Sequence, residues 1–553
     1  MEGWLKMNTL FQWLALGAFV MMMIGVGLFT IRRTRTTSDF FLGGRKIGPW
    51  ISAFAYGTTY FSAVIFVGYA GTLGFQYGLP VLWIAIGNTL IGSLLAWLVL
   101  ARKTRSMTVR LNVITMPEFL EKRYDSKVFK IVGALVIFIF MVPYSGSVYT
   151  GLSFLFVNVL GIGYNQALCF MALLTAIYLT LGGYSAISLS SFIQGLIMLV
   201  GVALMVAYTL THPSIGGFGN LLIGLKKVDP ELIKVFPANG ASLLWLVILT
   251  SLGVWGLPQM IQKFYAIRNE KVITTATVVG TIFCLVIAGA AYFIGSTSSM
   301  FSQEIIKQNP EAFSGDAVAA MNLAEARTVL GKAMNNNSYA NTALIPQILK
   351  MALPHPLLIL LLLLVLSASM STLSSVVLVS SSAIVVDLIQ GYFLPNLSRR
   401  WSVFLMRVLC LFFVGISLIT ALYGAKWPYL VALMSFSWGT ISGAFLAPYL
   451  YGLFWKGVTK AGAWAGFFSG LGFSVITFLC YMLHPELQPF IKDIAPMVGS
   501  ISMLLPLVVV PVVSWLTPKF SKEHLDWVFG VEKVHESVSL VSKKAKERKV
   551  AVG

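Results

Sequence analysis

Charged side chains are scarce in this sequence. Only 11% of its 553 residues are Asp, Glu, Lys or Arg, whereas a soluble globular chain carries roughly 25%. Hydrophobic residues make up 57% of the chain, and the mean hydropathy is +0.83. Most side chains therefore face something other than water, which excludes a string of ordinary soluble domains.

Long apolar runs are what the sequence has instead. Runs of about twenty residues or more recur from end to end, and each is long enough to cross a hydrocarbon layer of about 30 Å as a helix. We predict an all-α integral membrane protein in which 1–517 form one polytopic transporter domain and 518–553 a basic cytoplasmic tail. The sequence predicts about thirteen transmembrane helices, near 9–31, 48–75, 79–101, 130–157, 163–182, 186–211, 240–264, 273–299, 354–389, 403–424, 428–454, 461–483 and 495–517.

Basic residues are unevenly shared between the two sides of these spans. The loops, span ends and tail on one side hold 29 of the 39 Lys and Arg residues. Cationic residues resist translocation, so that side is cytoplasmic, and we expect a plasma-membrane protein with its N-terminus outside and its C-terminus inside. The same distribution argues against nucleic acid as the reason for the formal charge of +19. We expect the lipid bilayer and a small-molecule solute as partners, and no obligatory protein partner.

Ionisable groups are missing from the middle of the predicted spans. All 20 acidic residues and all five histidines fall in loops, tails or span ends, and Asp387 comes closest to the interior. Proton relays normally use such groups at mid-depth, so proton coupling through a buried carboxylate is disfavoured. We also expect no Lys or Arg in the core. The sequence has no phosphate-binding loop, zinc pattern or Ser/His/Asp arrangement, so neither an ATP-driven pump nor an enzyme is predicted.

Two spans carry the signs of an interrupted helix. The second contains Gly57, and the seventh contains Gly253, Gly256 and Pro258. Proline lacks an N–H and clashes with the preceding turn, and glycine lowers the cost of unwinding. Glycine is also common at membrane helix contacts, but these spans lie five apart and each opens a five-helix block. Discontinuous helices at corresponding positions of two halves predict an ion or solute site.

The ninth span supplies oxygen atoms for such a site. Six of the nine residues from Ser367 to Ser375 bear hydroxyls, and Ala368, Ser371, Thr372 and Ser375 share one helix face. Hydroxyls in membrane helices often bond back to their own i−4 carbonyl, which is the alternative interpretation. Sodium needs no formal charge in its site, because hydroxyls and the free carbonyls of an interrupted helix can surround it.

Several motifs, in this order along the chain, resemble the sodium:solute symporter family, which includes proline, pantothenate and sugar symporters. The resemblance runs from about residue 10 to 517, and its motifs are Ser38-Asp39-Phe40-Phe41-Leu42-Gly43-Gly44-Arg45, Leu181-Gly182-Gly183-Tyr184, Ala368-Ser369-Met370-Ser371-Thr372-Leu373-Ser374 and Gly452-Leu453-Phe454-Trp455-Lys456-Gly457-Val458-Thr459-Lys460-Ala461-Gly462-Ala463.

The resemblance implies a leucine-transporter-type fold of two inverted five-helix repeats, here about 48–211 and 240–454. It also implies a co-transported sodium ion between the second and ninth spans. Carried over to this sequence, the sodium ligands would be the carbonyl oxygens of Thr58, Phe61 and Ala368 and the hydroxyls of Ser371 and Thr372.

Two positions depart from the family pattern. Many relatives have an aspartate at Ser191, near the ion path on the sixth span, where Ser188 also lies; a neutral hydroxyl there favours one coupled sodium over two. Proline symporters have an aspartate at Tyr60, which weakens the case for proline. The sequence around Tyr60 leans toward the pantothenate-like branch.

The solute site is expected beside the two helix breaks, near the bilayer midplane, although packing alone explains each candidate equally well. The candidates are Thr59, Ser62, Tyr144, Ser145, Thr250, Trp255 and Gln259, with Ser435 and Trp438 as weaker ones.

The leading hypothesis is sodium-coupled secondary active symport that imports a small organic solute, an organic acid or zwitterion, by alternating access. The alternative is an uncoupled facilitator or a solute sensor that retains the symporter fold.

Overall fold

A computed structural model describes residues 2–31, 36–62, 64–308, 321–336, 338–424 and 430–530. These residues are almost entirely helical, and the one isolated β-bridge among them joins Ile47 to Ile267. In the first half the α-helices are α1 Glu2–Ile31, α2 Thr37–Leu42, α3 Pro49–Tyr60, α4 Ala70–Tyr77, α5 Leu82–Gly87, α6 Arg102–Arg110, α7 Met116–Tyr124, α8 Lys127–Leu160, α9 Tyr164–Thr211, α10 Phe218–Val228, α11 Gly240–Leu252 and α12 Pro258–Tyr265.

The second half continues in the same way. Its α-helices are α13 Lys271–Ser296, α14 Ser302–Gln308, α15 Leu323–Asn336, α16 Ser338–Ala352, α17 His355–Ser382, α18 Arg399–Gly424, α19 Leu430–Phe454, α20 Lys460–Leu483, α21 Gln488–Leu516 and α22 Lys522–Phe529. Helical turns of π type, at Val64–Tyr69, Asn88–Leu95, Trp97–Ala101 and Ala383–Phe393, extend or join these helices. The basic end of the predicted tail, with Lys543, Lys544, Lys546, Arg548 and Lys549, lies outside the described residues.

Among the described residues, nine helical stretches are long and apolar enough to cross a membrane, or up to eleven if each of two bent pairs is one span. The predicted number of thirteen therefore stays a prediction. The predicted loop 183–185 is a sharp turn within α9. Two helical stretches, Tyr164–Thr180 and Gly182–Thr211, meet there, and the non-helical residue of the turn is Gly183, at φ 56° and ψ −149°. A Cβ at Gly183 would lie 2.7 Å from the Phe40 carbonyl oxygen, so only glycine fits this turn.

Both predicted helix interruptions are present. Pro49–Tyr60 and Val64–Tyr77 meet at 53°, and Gly240–Trp255 and Pro258–Tyr265 meet at 42°. At the first bend α3 ends at Phe61, whose backbone is extended at φ −106° and ψ 115°. At the second, Leu257 is extended at φ −81° and ψ 118°, and Pro258 opens α12. Proline suits the first helical position, because the N–H that it lacks would have no helical partner there.

The hydroxyl-rich helix α17 lies at the centre of the molecule. In its most apolar window 83% of the residues are buried, against 28% for the windows of α1 and of α20. It packs against α8, α9 and the interrupted helix α3. A helix buried on all sides has no lipid to face, so its hydroxyls can bond only to protein atoms. Of the six hydroxyls within 367–375, five have a hydrogen-bond partner among the described residues, and the Ser367 hydroxyl has none.

Candidate functional site

The closest link between the interrupted second span and α17 is a pair of hydroxyls. Thr58 Oγ1 lies 2.7 Å from Ser371 Oγ, and Ser191 Oγ of α9 lies 2.9 Å from the same Ser371 oxygen. Thr58 donates its own proton to the Phe54 carbonyl at 2.8 Å. Ser371 must therefore donate to Thr58, and Ser191 to Ser371. The result is a buried chain of three hydroxyls drawn from three helices.

Thr372 adds backbone oxygens to this cluster. Its Oγ1 lies 3.1 Å from the carbonyl oxygens of both Thr59 and Ala368, and 3.5 Å from that of Thr58. The carbonyls of Thr58 and Thr59 are near the end of α3, where the next helical turn is missing and carbonyl groups lose their intrahelical donors. One small volume thus contains carbonyl and hydroxyl oxygens from an interrupted helix and from its hydroxyl-bearing neighbour, the ligand type that suits a hard cation.

Of the five predicted sodium ligands, the structure brings four together: Thr58, Ala368, Ser371 and Thr372. The fifth, Phe61, lies at the bend itself, three residues beyond Thr58, and donates its N–H to the Gly57 carbonyl at 3.3 Å. The expected back-bonding of hydroxyls also occurs, since Ser369, Ser374 and Ser375 each bond to a carbonyl of α17. Not every hydroxyl of the run is therefore directed at α3.

The predicted solute residues lie in two regions of the protein, one beside α3 and one beside α8. On the α3 side, Tyr60 donates to the Thr250 carbonyl at 2.7 Å and so ties the two interrupted spans together. Trp255 donates from Nε1 to the Ile91 carbonyl at 2.9 Å. On the α8 side, the Tyr144 ring meets the Trp438 ring edge-on, with centroids 5.8 Å apart.

The remaining solute candidates line the breaks. Thr59 Oγ1 lies 3.1 Å from Ser375 Oγ, and Ser62 is fully buried where α3 ends. Gln259 is buried in the first turn of α12, and its Oε1 is without a hydrogen-bond partner among the described residues. An unsatisfied buried amide oxygen is costly in a protein interior, so Gln259 is the candidate best prepared to receive a donor from a bound molecule.

The two predicted ion-path residues connect the oxygen cluster with a cavity. Ser188 lines a cavity of about 650 Å³, together with Asp39, Lys46 and Ser185. Ser191 lies one helical turn from Ser188 and contacts Ser371. A water-accessible space therefore comes within one turn of the candidate sodium ligands.

Main-chain hydrogen bonds join the chain before α3 to the chain after α12, two segments that the sequence predicts to lie on the cytoplasmic side. The Ile47 N–H donates to the Ala266 carbonyl at 3.3 Å, and the Arg268 N–H donates to the Ile47 carbonyl at 3.1 Å. These bonds join the chain just before α3 to the chain just after α12, so they link one end of each interrupted span. Arg105 reinforces the link by donating to the Ile267 carbonyl at 2.6 Å.

Arg45 and Asp387 form further side-chain hydrogen bonds in the same region, with Thr108 and Thr115. Arg45 donates to the Thr108 hydroxyl and carbonyl, both at 3.3 Å. Burial, with the nearby Arg105 charge as the second cause, lowers the pKa of Arg45 to about 10. Thr115 donates to the buried Asp387 carboxylate at 2.6 Å. The sequence marks Arg45 only as part of a family motif and does not reveal its partners.

One sequence expectation is wrong. The sequence predicts no lysine or arginine in the core, yet Lys263 in α12 is only 1% exposed. Its Nζ donates to Ser375 Oγ at 2.9 Å and lies 5.0 Å from the centroid of the Tyr184 ring. The prediction fails because Lys263 is near a span end in the sequence, whereas the bend at Pro258 turns α12 back into the protein.

Comparison with known proteins identifies the family of this chain. A model of the family described as "Sodium:solute symporter family" matches residues 40–470. The chain is 29% identical over 461 residues to the high-affinity proline transporter PutP of Bacillus subtilis, which covers 82% of this chain and 89% of that protein. It is 28% identical over 464 residues to the sodium/proline symporter of Haemophilus influenzae, covering 82% and 85% of the two chains.

A solved structure has the same fold. The substrate-bound outward-open state of a Na+-coupled sialic acid symporter superposes with a TM-score of 0.68 at 15% identity, over 93% of this chain and 99% of that one.

Proposed function

This chain belongs to the sodium:solute symporter family, and we propose that within it the chain imports a small zwitterionic or anionic organic solute by alternating access. As a member it is a multi-pass plasma-membrane transporter that uses sodium, and it is not an enzyme. The proposal adds the direction of transport, the solute class and the residues of each site.

The hydroxyl contact between Thr58 and Ser371, at 2.7 Å, carries the proposal. It places the interrupted second span against the hydroxyl-bearing ninth helix inside the protein, where water cannot hydrate a cation. We assign the sodium ligands to the carbonyls of Thr58, Phe61 and Ala368 and to the hydroxyls of Ser371 and Thr372. Sodium bound there would hold α3 to α17, so the ion would favour the conformation in which the two helices touch.

Release toward the cytoplasm would follow the ion path. Ser191 contacts Ser371, Ser188 lies one turn further along α9, and Ser188 opens onto the cavity of about 650 Å³. This direction requires the N-terminus outside and the C-terminus inside, as the basic loops indicate. We further propose thirteen spans with inverted repeats at about 48–211 and 240–454, since each repeat would then open with one of the two bent pairs.

Proline is the first solute to test. The proline transporters to which the chain is similar support a zwitterion, whereas Tyr60, which replaces the aspartate of proline symporters, counts against an identical site. Gln259 offers an amide oxygen to a solute N–H, and the N-terminal end of the α12 dipole favours a carboxylate. Thr59, Ser62, Tyr144, Thr250 and Trp255 complete the proposed solute site.

A thermal-shift screen of the purified protein identifies the solute. Proline, other amino acids, small organic acids and sugars are each added with sodium and with choline as the replacement cation. A bound ligand stabilises the folded form by mass action, so the transported solute should raise the melting temperature more with sodium than with choline. Uptake into proteoliposomes with and without an inward sodium gradient then tests symport, and accumulation at equal rates in both would contradict it.

The alternative is an uncoupled facilitator or a solute sensor. Ser191 favours it, because the hydroxyl lacks the negative charge that many relatives have at this point. A facilitator would equilibrate the solute without concentrating it, and a sensor would bind the solute without moving it. The same proteoliposome experiment separates all three, since only a symporter accumulates solute above the outside concentration.

A further inference from the structure

A buried lysine lies on the cytoplasmic side of the oxygen cluster. Lys263 is 1% exposed, and in the part of the chain that the structure describes it forms no ion pair. Its Nζ is held by the Ser375 hydroxyl at 2.9 Å and by the face of the Tyr184 ring, whose centroid is 5.0 Å away. An ammonium over an aromatic face is stabilised by the ring quadrupole, so this pocket suits a cation.

Hydrogen bonds lead from this amine to the candidate sodium ligands. Ser375 donates its own proton to the Ser371 carbonyl at 2.9 Å. It must therefore accept both from Lys263 and from the Thr59 hydroxyl, which lies 3.1 Å away. The Thr59 carbonyl in turn accepts from Thr372. Lys263 is thus separated from the proposed sodium ligands by a single serine and a single threonine.

The carboxylates near α12 do not pair with Lys263 in the part of the chain that the structure describes. Glu118 and Glu121 lie on α7, which packs against α12, and are 3.7 Å and 3.2 Å from Lys130. One oxygen of Asp387 accepts from the Thr115 hydroxyl at 2.6 Å. None of the three neutralises the Lys263 charge by direct contact. The other ionisable groups on α12 and on the helices packed against it include Arg105, Tyr56, Tyr60 and Tyr265.

We propose that the Lys263 ammonium opposes sodium binding at the Thr58–Ser371 cluster and so promotes sodium release to the cytoplasm. This inference rests on the proposed symport. The Lys263 Nζ is two hydrogen bonds, of 2.9 Å each, from the Ser371 carbonyl oxygen. Two unit charges at such short range, at an effective dielectric constant of about 20, repel enough to lower an affinity by roughly tenfold or more. The ligands themselves are neutral oxygens, so no negative charge in the cluster offsets that repulsion.

Sodium titration of the melting temperature tests the inference without a known solute. Wild-type protein and the variants K263Q, K263M and K263R are purified in detergent and titrated with sodium chloride, with choline chloride keeping the ionic strength constant. Gln keeps a donor for Ser375 and removes the charge, whereas Arg keeps the charge. K271M is the matched control, because Lys271 is exposed at the start of α13.

The half-saturating sodium concentration of K263Q should be about tenfold below that of the wild type. The half-saturating concentrations of K263R and K271M should equal that of the wild type. K263M also lacks the hydrogen bond to Ser375, and its half-saturating concentration should fall as that of K263Q does. A half-saturating concentration in K263Q equal to or above that of the wild type would overturn the inference, as would a K263R curve that matches K263Q.

Failure of the inference is distinguishable from failure of the proposed function. If the wild-type protein shows no sodium-specific stabilisation, the sodium site itself is wrong. If the wild type responds to sodium and K263Q does not gain affinity, only the role of Lys263 is wrong. Should K263Q not fold, K263M gives the neutral comparison, and equal half-saturating sodium concentrations in K263M and K263R would then overturn the inference.

Discussion

At the scale of single residues, the cluster of oxygens at α3 and α17 could be anticipated, and the buried Lys263 beside it could not. Thr58, Ser371 and Thr372 stand out in sequence because hydroxyls crowd one face of an apolar helix and because a neighbouring span is interrupted. Lys263 does not stand out, since a lysine near a span end normally extends toward the interface. Its burial depends on the bend at Pro258, which is a property of the tertiary structure.

Thr372→Val tests the ligand assignment. Valine keeps the shape of the side chain and deletes the oxygen that lies 3.1 Å from the Thr59 and Ala368 carbonyls. A hydrogen-bonding oxygen that faces a charge contributes about 1.5–3 kcal/mol, so the sodium concentration for half-maximal uptake should rise by about tenfold or more. Thr277→Val is the control, because that buried hydroxyl only bonds back within α13. Equal sodium dependence in the Thr372 variant and the wild type would remove Thr372 from the site.

Ser191→Asp tests the position at which this chain departs from its family. A carboxylate about 3–4 Å from Ser371 would attract the cation that Ser371 contacts, so the half-saturating sodium concentration should fall by about tenfold. Ser191→Asn is the uncharged control of equal size and should not produce this gain. A weaker sodium response in the Asp variant would place the ion away from Ser371.

At the scale of helices, both interruptions were predictable and the link between them was not. Glycine and proline mark the two breaks in the sequence, and the structure bends there by 53° and 42°. The sequence does not show that Tyr60 ties one broken span to the other through the Thr250 carbonyl. Such a contact depends on how two distant segments pack, which local composition does not encode.

Tyr60→Phe tests this link between the interrupted spans. The variant loses one buried hydrogen bond and leaves the Thr250 carbonyl without that donor, which costs about 1–3 kcal/mol. The melting temperature in detergent should fall by several degrees, and the maximal uptake rate should fall with it. Tyr423→Phe is the control, because Tyr423 is 70% exposed. An unchanged melting temperature would show that the Tyr60 hydroxyl does not join the two spans.

At the scale of the whole molecule, composition alone identified a polytopic membrane protein, and the ordered motifs identified its family. Hydropathy does not define the number of spans as well. In α9 the turn between two helical stretches is a single residue, Gly183, and each bent pair divides one span into two helices. These features depend on backbone angles at single residues, whereas hydropathy is an average over many residues.

Terminal orientation is testable at this scale. The predicted spans place 29 of the 39 basic residues on one side. A fluorescent protein fused after Gly553 should therefore fold and fluoresce in the cytoplasm, and alkaline phosphatase fused at the same place should be inactive. A matched pair of fusions within the external segment 212–239 should behave in the opposite way. Active phosphatase at the C-terminus would reverse the proposed direction of the path through Ser188 and Ser191.

The central claim is that neutral oxygens from α3 and α17 hold a sodium ion away from water. Equilibrium binding of radioactive sodium to the purified protein measures this directly and needs no solute. The account predicts saturable binding to the wild type that unlabelled sodium displaces and that Ser371→Ala and Thr372→Val each weaken by about tenfold or more. Saturable binding of the same affinity in both variants would contradict it.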